Sequence, residues 1–280
     1  MIIADFNGIA ISTVVIENTP VDEDMIRHMI LNTIRMYNKR HKNEYGEMVI
    51  ACDHRSWRKD YFKQYKHSRK KGRDTSTYDW DEVFRIINLV RDELFEHFPY
   101  RVIHIDGAEA DDIIGTLVES YAENEKILIL SADKDFIQLQ RYKNVVQYSP
   151  AQKKFVTHNN PAAYLFEHIV KGDKGDGVPN ILSHDNVFVE GERQKPITKK
   201  KLEELSHLSD SQIQNVLGET VWRNFCRNKK LVDLRQTPDD LKREIINIYE
   251  NQEKTPGSKV LPFLIQKRCR RLIESVHDFL

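Results

Sequence analysis

Short apolar runs and helical stripes alternate along the first half of the chain. The runs are Met1–Asp5, Met48–Asp53, Arg101–Asp106 and Lys126–Ser131. Between them, Met25, Met29, Ile30 and Ile34 recur at helical spacing, as do Phe84, Ile87, Leu94 and Phe98, and again Ile113, Ile114, Leu117 and Val118. Strand, helix, strand, helix predicts an α/β fold with a central, mostly parallel sheet flanked by helices. Runs such as K-I-L-I-L are continuous rather than alternating, as strands covered on both faces should be. A hairpin is predicted around Val145–Val156. Beyond it no strong strand pattern appears. Helices are predicted over Pro161–Val170, Lys199–Leu208, Asp210–Leu217, Thr220–Lys229 and Pro238–Tyr249, and Val260–Phe279 ends in a basic helix. This change of character divides the chain into an α/β domain, 1–157, and a helical domain, 158–280.

Composition narrows the class. The 280 residues are 40% hydrophobic and 31% charged, with 12 Phe, 11 Tyr and 3 Trp, too many aromatics for a disordered chain. No stretch approaches the roughly 18 unbroken apolar residues of a membrane span, so no membrane partner is expected. Cys52, Cys226 and Cys269 are odd in number and far apart, which excludes a disulfide scaffold and a CxxC zinc site and suits a reducing cytoplasm. The N-terminal stretch has no basic region and carries Asp5 inside its apolar run, so no signal peptide is expected. Lys plus Arg equals Asp plus Glu, 43 against 43, and only the distribution of charge is informative.

Each predicted parallel strand runs into acids. Asp5 ends the first, Asp53 the second, Glu109, Asp111 and Asp112 follow the third, and Asp133 and Asp135 the fourth. In an open parallel sheet the carboxyl ends share one edge, where ligands bind. A lone Asp after a strand is ordinarily a turn or cap residue, the reading preferred for Asp106 before Gly107. Repetition at all four strand ends makes that account poorer. Two unit charges about 4 Å apart repel by about 4 kcal/mol at an effective dielectric of about 20. Such acids must protonate or hold cations, and hard oxygen donors favour Mg²⁺ or Mn²⁺. The eleven histidines show no ligand-like clustering.

Residues 55–73 carry nine Lys and Arg (Arg55, Arg58, Lys59, Lys63, Lys66, Arg69, Lys70, Lys71, Arg73) against one acid, Asp60. Trp57, Tyr61 and Tyr65 recur every four residues, predicting an aromatic helical face. From Lys66 to Asp79 scarcely an aliphatic residue occurs, so this stretch lacks a core of its own. A basic run is ordinarily a solvated face, but this one adjoins Asp53, and cations beside an acidic cleft suit a polyanion. Lys171–Asn180, K-G-D-K-G-D-G-V-P-N, fails as an EF-hand because the twelfth position from Asp173 is His184. It reads either as a plain turn or as a backbone-amide loop for a phosphodiester, with Lys171 and Lys174 beside it.

Together E-A-D-D-I (Glu109–Ile113), S-A-D-K-D-F (Ser131–Phe136), Y-K-x-x-R (Tyr65–Arg69) and K-G-D-K-G-D (Lys171–Asp176) resemble the flap endonuclease family of 5′ nucleases. The resemblance implies a PIN-like core and, in the helical domain, a helix–three-turn–helix motif that grips duplex DNA. It implies two Mg²⁺ ions, with Mn²⁺ as a substitute. Glu109, Asp111, Asp133, Asp135 and Asp53 would serve the first, and Asp173, Asp176 and Asp5 the second, while Asp112 could serve either. It implies catalytic roles for Lys66 and Arg69 above the site, on a flexible arch over 55–79. It implies DNA contacts from Arg55, Arg58, Lys59, Lys63, Tyr65, Lys70, Lys71 and Arg73 and from Lys171, Gly172, Lys174, Gly175 and Gly177. Implied substrates are duplex, forked or flap DNA and RNA–DNA hybrid, cut at 5′ ends by a monomer that removes RNA primers during replication. Single-stranded DNA-binding protein and sliding clamp are partners by the same implication, although no N-terminal extension offers a clamp-binding tail. Leu182–Lys195 depart from the family by intervening before the helix expected at Thr198. A PIN-type ribonuclease and a non-catalytic DNA-binding protein are the alternatives.

Overall fold

The computed structural model describes residues 1–16 and 21–280, apart from the side chains of Ile16, Lys70 and Lys71. Its centre is a six-stranded sheet in the order β3-β2-β1-β4-β5-β6. The strands are β1 (Ile2–Asp5), β2 (Met48–Ala51), β3 (Arg101–Ile103), β4 (Ile127–Leu130), β5 (Val145–Ser149) and β6 (Lys154–Val156). All neighbours pair in parallel except β5 with β6, the predicted hairpin.

Strand residues alternate between two cores, as the pleat demands. Ile2, Ala4, Met48, Ile50, Leu128 and Leu130 face one core. Ile3, Val49, Ala51, Ile127 and Ile129 face the other. The first face is covered by α1 (Phe6–Ile16), α2 (Glu23–Tyr45) and α5 (Trp80–His97); α3 (Arg58–Tyr61) and α4 (His67–Asp74) belong to the basic segment. The second face is covered by α6 (Ala110–Tyr121) and the 3₁₀ helix Lys134–Arg141. Caps written in the sequence start these helices. The carboxylate of Asp22 accepts from Met25 N–H at 2.8 Å and that of Asp79 from Glu82 N–H at 3.1 Å. Helix α1 was not predicted: with Asn7 and Gly8 in its first turn and a β-branched second half, its sequence carries little helical signature.

The second half of the chain forms α7 (Pro161–Lys171), α8 (Lys199–Ser206), α9 (Asp210–Leu217), α10 (Glu219–Val232), α11 (Asp239–Asn251), α12 (Val260–Gln266) and α13 (Arg270–Ile273). Leu165, Ile169, Leu205, Ile213, Phe225 and Leu231 build a third core, which also takes Phe62 and Tyr65 from the basic segment. The chain then returns to the sheet. Leu241 and Ile245 join the second core, and Val260, Phe263, Leu264 and Phe279 the first. The core therefore does not divide at 157/158. The expected basic C-terminal helix is broken into the two short helices α12 and α13 and a final 3₁₀ turn, whose apolar residues join the first core. Among the described residues no helix is long and apolar enough to cross a membrane.

The basic segment is not one amphipathic helix. Helix α3 ends at Tyr61, where Phe62 turns extended (φ −139°), and Lys66, at φ +54°, precedes α4. Tyr61 is therefore half exposed while Tyr65 is buried, and the three aromatics do not share a face. No described residue from 66 to 79 is buried, as a stretch without its own core requires.

Candidate metal centre

The register brings the strand ends level, Asp5 opposite Ala51 and Ala4 opposite Leu130. Because β1 continues to β2 on one side and its neighbour β4 to β5 on the other, a crevice opens between their carboxyl ends. Asp5, Asp133, Asp135 and Asp173 line a cleft of about 510 Å³ there, with His168 and Tyr164.

Each acid is held by short-range bonds. Asp5 accepts from Ser131 Oγ at 2.7 Å and from Gly8 N–H at 2.9 Å. A Cβ on Gly8 would lie 2.4 Å from the Asp5 carboxylate, so only glycine lets α1 begin there. Asp53 accepts from Ala110 N–H at 2.8 Å, and its own N–H donates to Asn7 Oδ1 at 3.2 Å. Asp133 accepts from Asp135 N–H at 2.9 Å. The buried Gln147 amide donates to the carbonyls of Ser131 and Asp133, at 3.1 and 2.6 Å, and fixes the turn that carries both acids. His168 lies between Asp135 (3.2 Å) and Asp173 (3.1 Å), and these three offer ligand atoms within 4.8 Å of one another. Sequence reading missed His168, Asn7, Ser131 and Gln147. A polar Gln inside the run V-V-Q-Y-S was the available signal for one of them.

The remaining acids meet protein cations. Glu109 accepts from Ser56 Oγ (2.6 Å), Tyr65 Oη (2.9 Å), Arg58 (3.1 Å) and Lys66 Nζ (2.5 Å). Asp176 accepts from Tyr65 Oη at 2.9 Å and pairs with Arg69 and with Lys66 Nζ at 3.5 Å. Glu109 and Asp176, expected among the metal ligands, are thus engaged by the residues expected to act on the phosphate.

Three expectations are corrected. Asp112 is not in the cleft. It is fully buried in the capping box that begins α6 and accepts from Thr237, Arg58, Trp57 and Glu109 N–H, so no lone pair faces an ion. Arg58 is not a DNA contact. It is 1% exposed and donates to Asp112, Glu109 and the Leu231 carbonyl. Tyr65 is 3% exposed and orients Glu109 and Asp176 instead of meeting DNA.

Of the other cations, Arg55 pairs with Asp60, Lys171 with Glu167, and Lys59, Lys63, Arg73 and Lys174 are exposed. The side chains of Lys70 and Lys71 lie outside the described residues. Gly172 and Gly177 have φ of +69° and +73°; a Cβ would meet Val178 O at 2.3 Å and Gln64 O at 2.8 Å. These glycines are required by the chain's own backbone, where the loop packs against Gln64 of the basic segment. Gly175 lies against the Asp173 carboxylate. Helix α7 ends in this glycine turn, and the next helix begins at Lys199.

The electrostatics separate the two sets. Burial, then Asp53, pushes Asp5 up to about 7. Burial and Asp133 push Asp135 up to about 7 and Asp111 well above the usual carboxylate range. Burial also raises Asp53. Conversely, Glu109 is buried, but Lys66 and Arg58 overcome that and hold it at about 2. The hydrogen bond from His168 helps hold Asp173 at about 2 against burial, and His168 is raised in return by Asp173 and Asp135. The uncompensated set is therefore Asp5, Asp53, Asp111 and Asp135 around Asp133. Lys66 and Arg69 offset burial only in part at Asp53, as Lys66 does at Asp111 and His168 at Asp135, and such a crowded set of hard oxygen donors fits a divalent ion.

A pH dependence follows. Asp5 and Asp135 bind protons more tightly in the folded chain, so their contribution is complete at low pH and is lost as pH rises through about 7, and His168, raised as well, acts in the same sense. Glu109 and Asp173 act oppositely and withdraw stability as pH falls toward about 2. In EDTA the urea midpoint should fall between about pH 5 and pH 8, and divalent ions should remove the fall. A flat profile in EDTA would show that the acids are not crowded.

Both parts of the chain resemble known proteins. Residues 17–167 match the family described as 5′–3′ exonuclease, N-terminal resolvase-like domain, and residues 160–279 match T4 RNase H, C terminal. Ribonuclease H of Enterobacteria phage T4 is 34% identical over 98% of this chain and 94% of its own length. The fold is shared with a phage T5 5′-exonuclease solved with zinc ions, at a TM-score of 0.63 and 14% identity, over 89% of this chain and 98% of that one. It is shared too with a phage T5 flap endonuclease variant solved in a pseudo-enzyme–product complex with DNA and metal ions, at a TM-score of 0.60 and 13% identity, over 99% and 98%.

Proposed function

Because the chain belongs to the 5′–3′ exonuclease family, with a C-terminal region of the phage T4 RNase H type, we propose that it is a Mg²⁺-dependent 5′ nuclease acting on flap, forked and nicked duplexes. Primer RNA in RNA–DNA hybrid is the substrate this reading assigns to it during replication. One observation carries the proposal: an uncompensated carboxylate cleft adjoins the cations of a strongly basic arm, the pairing that a phosphodiester and its metal ions require.

Asp5, Asp53, Asp111, Asp133, Asp135 and Asp173 would hold the ions. When bound, divalent ions supply a water ionised at neutral pH and positive charge at the phosphate oxygens. The chain supplies the rest. Lys66 and Arg69 leave Glu109 and Asp176 for the phosphate, add charge where negative charge grows, and free both carboxylates for the cleft. His168 keeps Asp135 and Asp173 in one orientation. Tyr65, locked in the third core, keeps Glu109 and Asp176 at a fixed spacing.

The test is a 5′-labelled flap duplex incubated with Mg²⁺ and, separately, with EDTA, beside a single-stranded RNA. Short labelled products from the flap with Mg²⁺ alone are expected. Cleavage confined to the RNA would favour a PIN-type ribonuclease, and binding without product would leave a DNA-binding protein.

A further inference from the structure

The segment 180–195, between the glycine turn and α8, is an anchored loop. Asn180 N–H donates to Gln194 Oε1 at 2.6 Å, Asn180 Nδ2 to the Lys195 carbonyl at 2.7 Å, and Lys195 N–H to Ser183 Oγ at 3.0 Å, closing its two ends together. Asp185 is gripped by Arg223 and Arg227 of α10. Gln64 Nε2, at the base of the arch, donates to Asn186 Oδ1 at 2.6 Å. A loop fastened at both ends and to two neighbours holds whatever it presents at a set position.

What it presents is Phe188 and Val189. They face the arch across a groove of about 580 Å³, whose other wall carries Lys59, Lys63 and Arg73. None of these three cations forms an ion pair among the described residues, and the one acid lining the groove is Asp74. Phe188 is half-buried, belongs to none of the three cores and stacks on no described ring; Val189 is 50% exposed. Glu190 and Glu192 both pair with His184, and none of the three is among the lining residues. Lys66 lines this groove, bonds Glu109 and acts electrostatically on Asp53 and Asp111, so the groove ends beside the acids.

Free cations on one wall and a positioned aromatic ring on the other suit a single polynucleotide strand: phosphates track the cations and a base packs on the ring. A duplex would hide its base faces from that ring. Resting on the nuclease reading for the strand's destination, we infer that the 180–195 loop is the outer wall of a single-strand channel and that Phe188 is its base-stacking residue, positioning the 5′ arm relative to the cut.

The test compares wild type, Phe188→Ala and Phe188→Trp in EDTA. One probe is a duplex with a five-nucleotide 5′ single-stranded arm carrying 2-aminopurine; the other is the same duplex, blunt. Wild type and Phe188→Trp should quench the probe in the arm. Phe188→Ala should lose the quenching and bind the armed duplex about tenfold more weakly, with blunt-duplex binding unchanged. Equal quenching and affinity for all three proteins, or no arm-dependent quenching by wild type, would overturn the assignment. Cleavage of the armed duplex by wild type in Mg²⁺ is scored separately. Active enzyme with an unaltered Phe188→Ala rejects the channel wall alone, whereas inactive wild type that still quenches through Phe188 rejects the nuclease reading and keeps the strand site.

Discussion

Asp133→Asn is expected to lower flap cleavage by about a thousandfold or more while leaving the fold and DNA binding intact. Asp133 lies at the carboxyl end of β4, and its charge helps to raise Asp5, Asp111 and Asp135. Asparagine keeps the oxygen that accepts from Asp135 N–H, and Gln147 still holds the main chain, so the turn should survive. What disappears is one negative charge from the middle of the uncompensated set. The remaining acids then ionise more easily but attract a divalent ion less. Mn²⁺ affinity, read by titration without substrate, should fall in step with cleavage. Flap binding in EDTA should hold or strengthen, because the DNA meets one fewer anion. Wild-type cleavage by this variant would remove Asp133 from the metal centre, and lost flap binding would give it a role in holding the substrate.

Arg58→Met should cost about 3–5 kcal/mol of stability, the range for removing one partner of a buried ion pair. The guanidinium is 1% exposed and joins Asp112, Glu109 and the Leu231 carbonyl, bringing α3, α6 and α10 to one point. Methionine fills much of the volume but leaves Asp112 buried without its cation and the Leu231 carbonyl without this donor. Adding Asp112→Asn should recover part of the loss, since it removes the stranded charge and keeps an oxygen for the Thr237 hydroxyl. Urea unfolding of the two single variants and the double variant measures this. A loss under about 1 kcal/mol for Arg58→Met would mean that the arginine is solvated, as its place in a basic run suggested.

These residues mark where the sequence was legible and where it was not. The strand runs, the acids at their ends and the capping residues were readable because each depends on near neighbours: a pleat buries alternate residues, a cap bonds two or three positions ahead, and a strand's end is where its apolar run stops. The crevice was readable too, because parallel strands must align their carboxyl ends. By contrast, Arg58 and Lys59 are adjacent and identical in charge, yet one is sealed between Asp112 and the Leu231 carbonyl and the other is exposed. Composition identifies a cation but not its partner, which arrives here from 54 and 173 residues away.

The same limit hid His168, an unremarkable histidine of α7 until packing sets it between Asp135 and Asp173. It also misassigned Tyr65, whose four-residue spacing from Tyr61 meant nothing once the helix ended at Phe62. From the sequence alone came the sheet, the acid edge and the basic arm. The division of those acids into a set quenched by Lys66, Arg69 and Arg58 and a set left for metal was decided by tertiary structure, because Coulomb energy depends on distances that only the packed chain establishes.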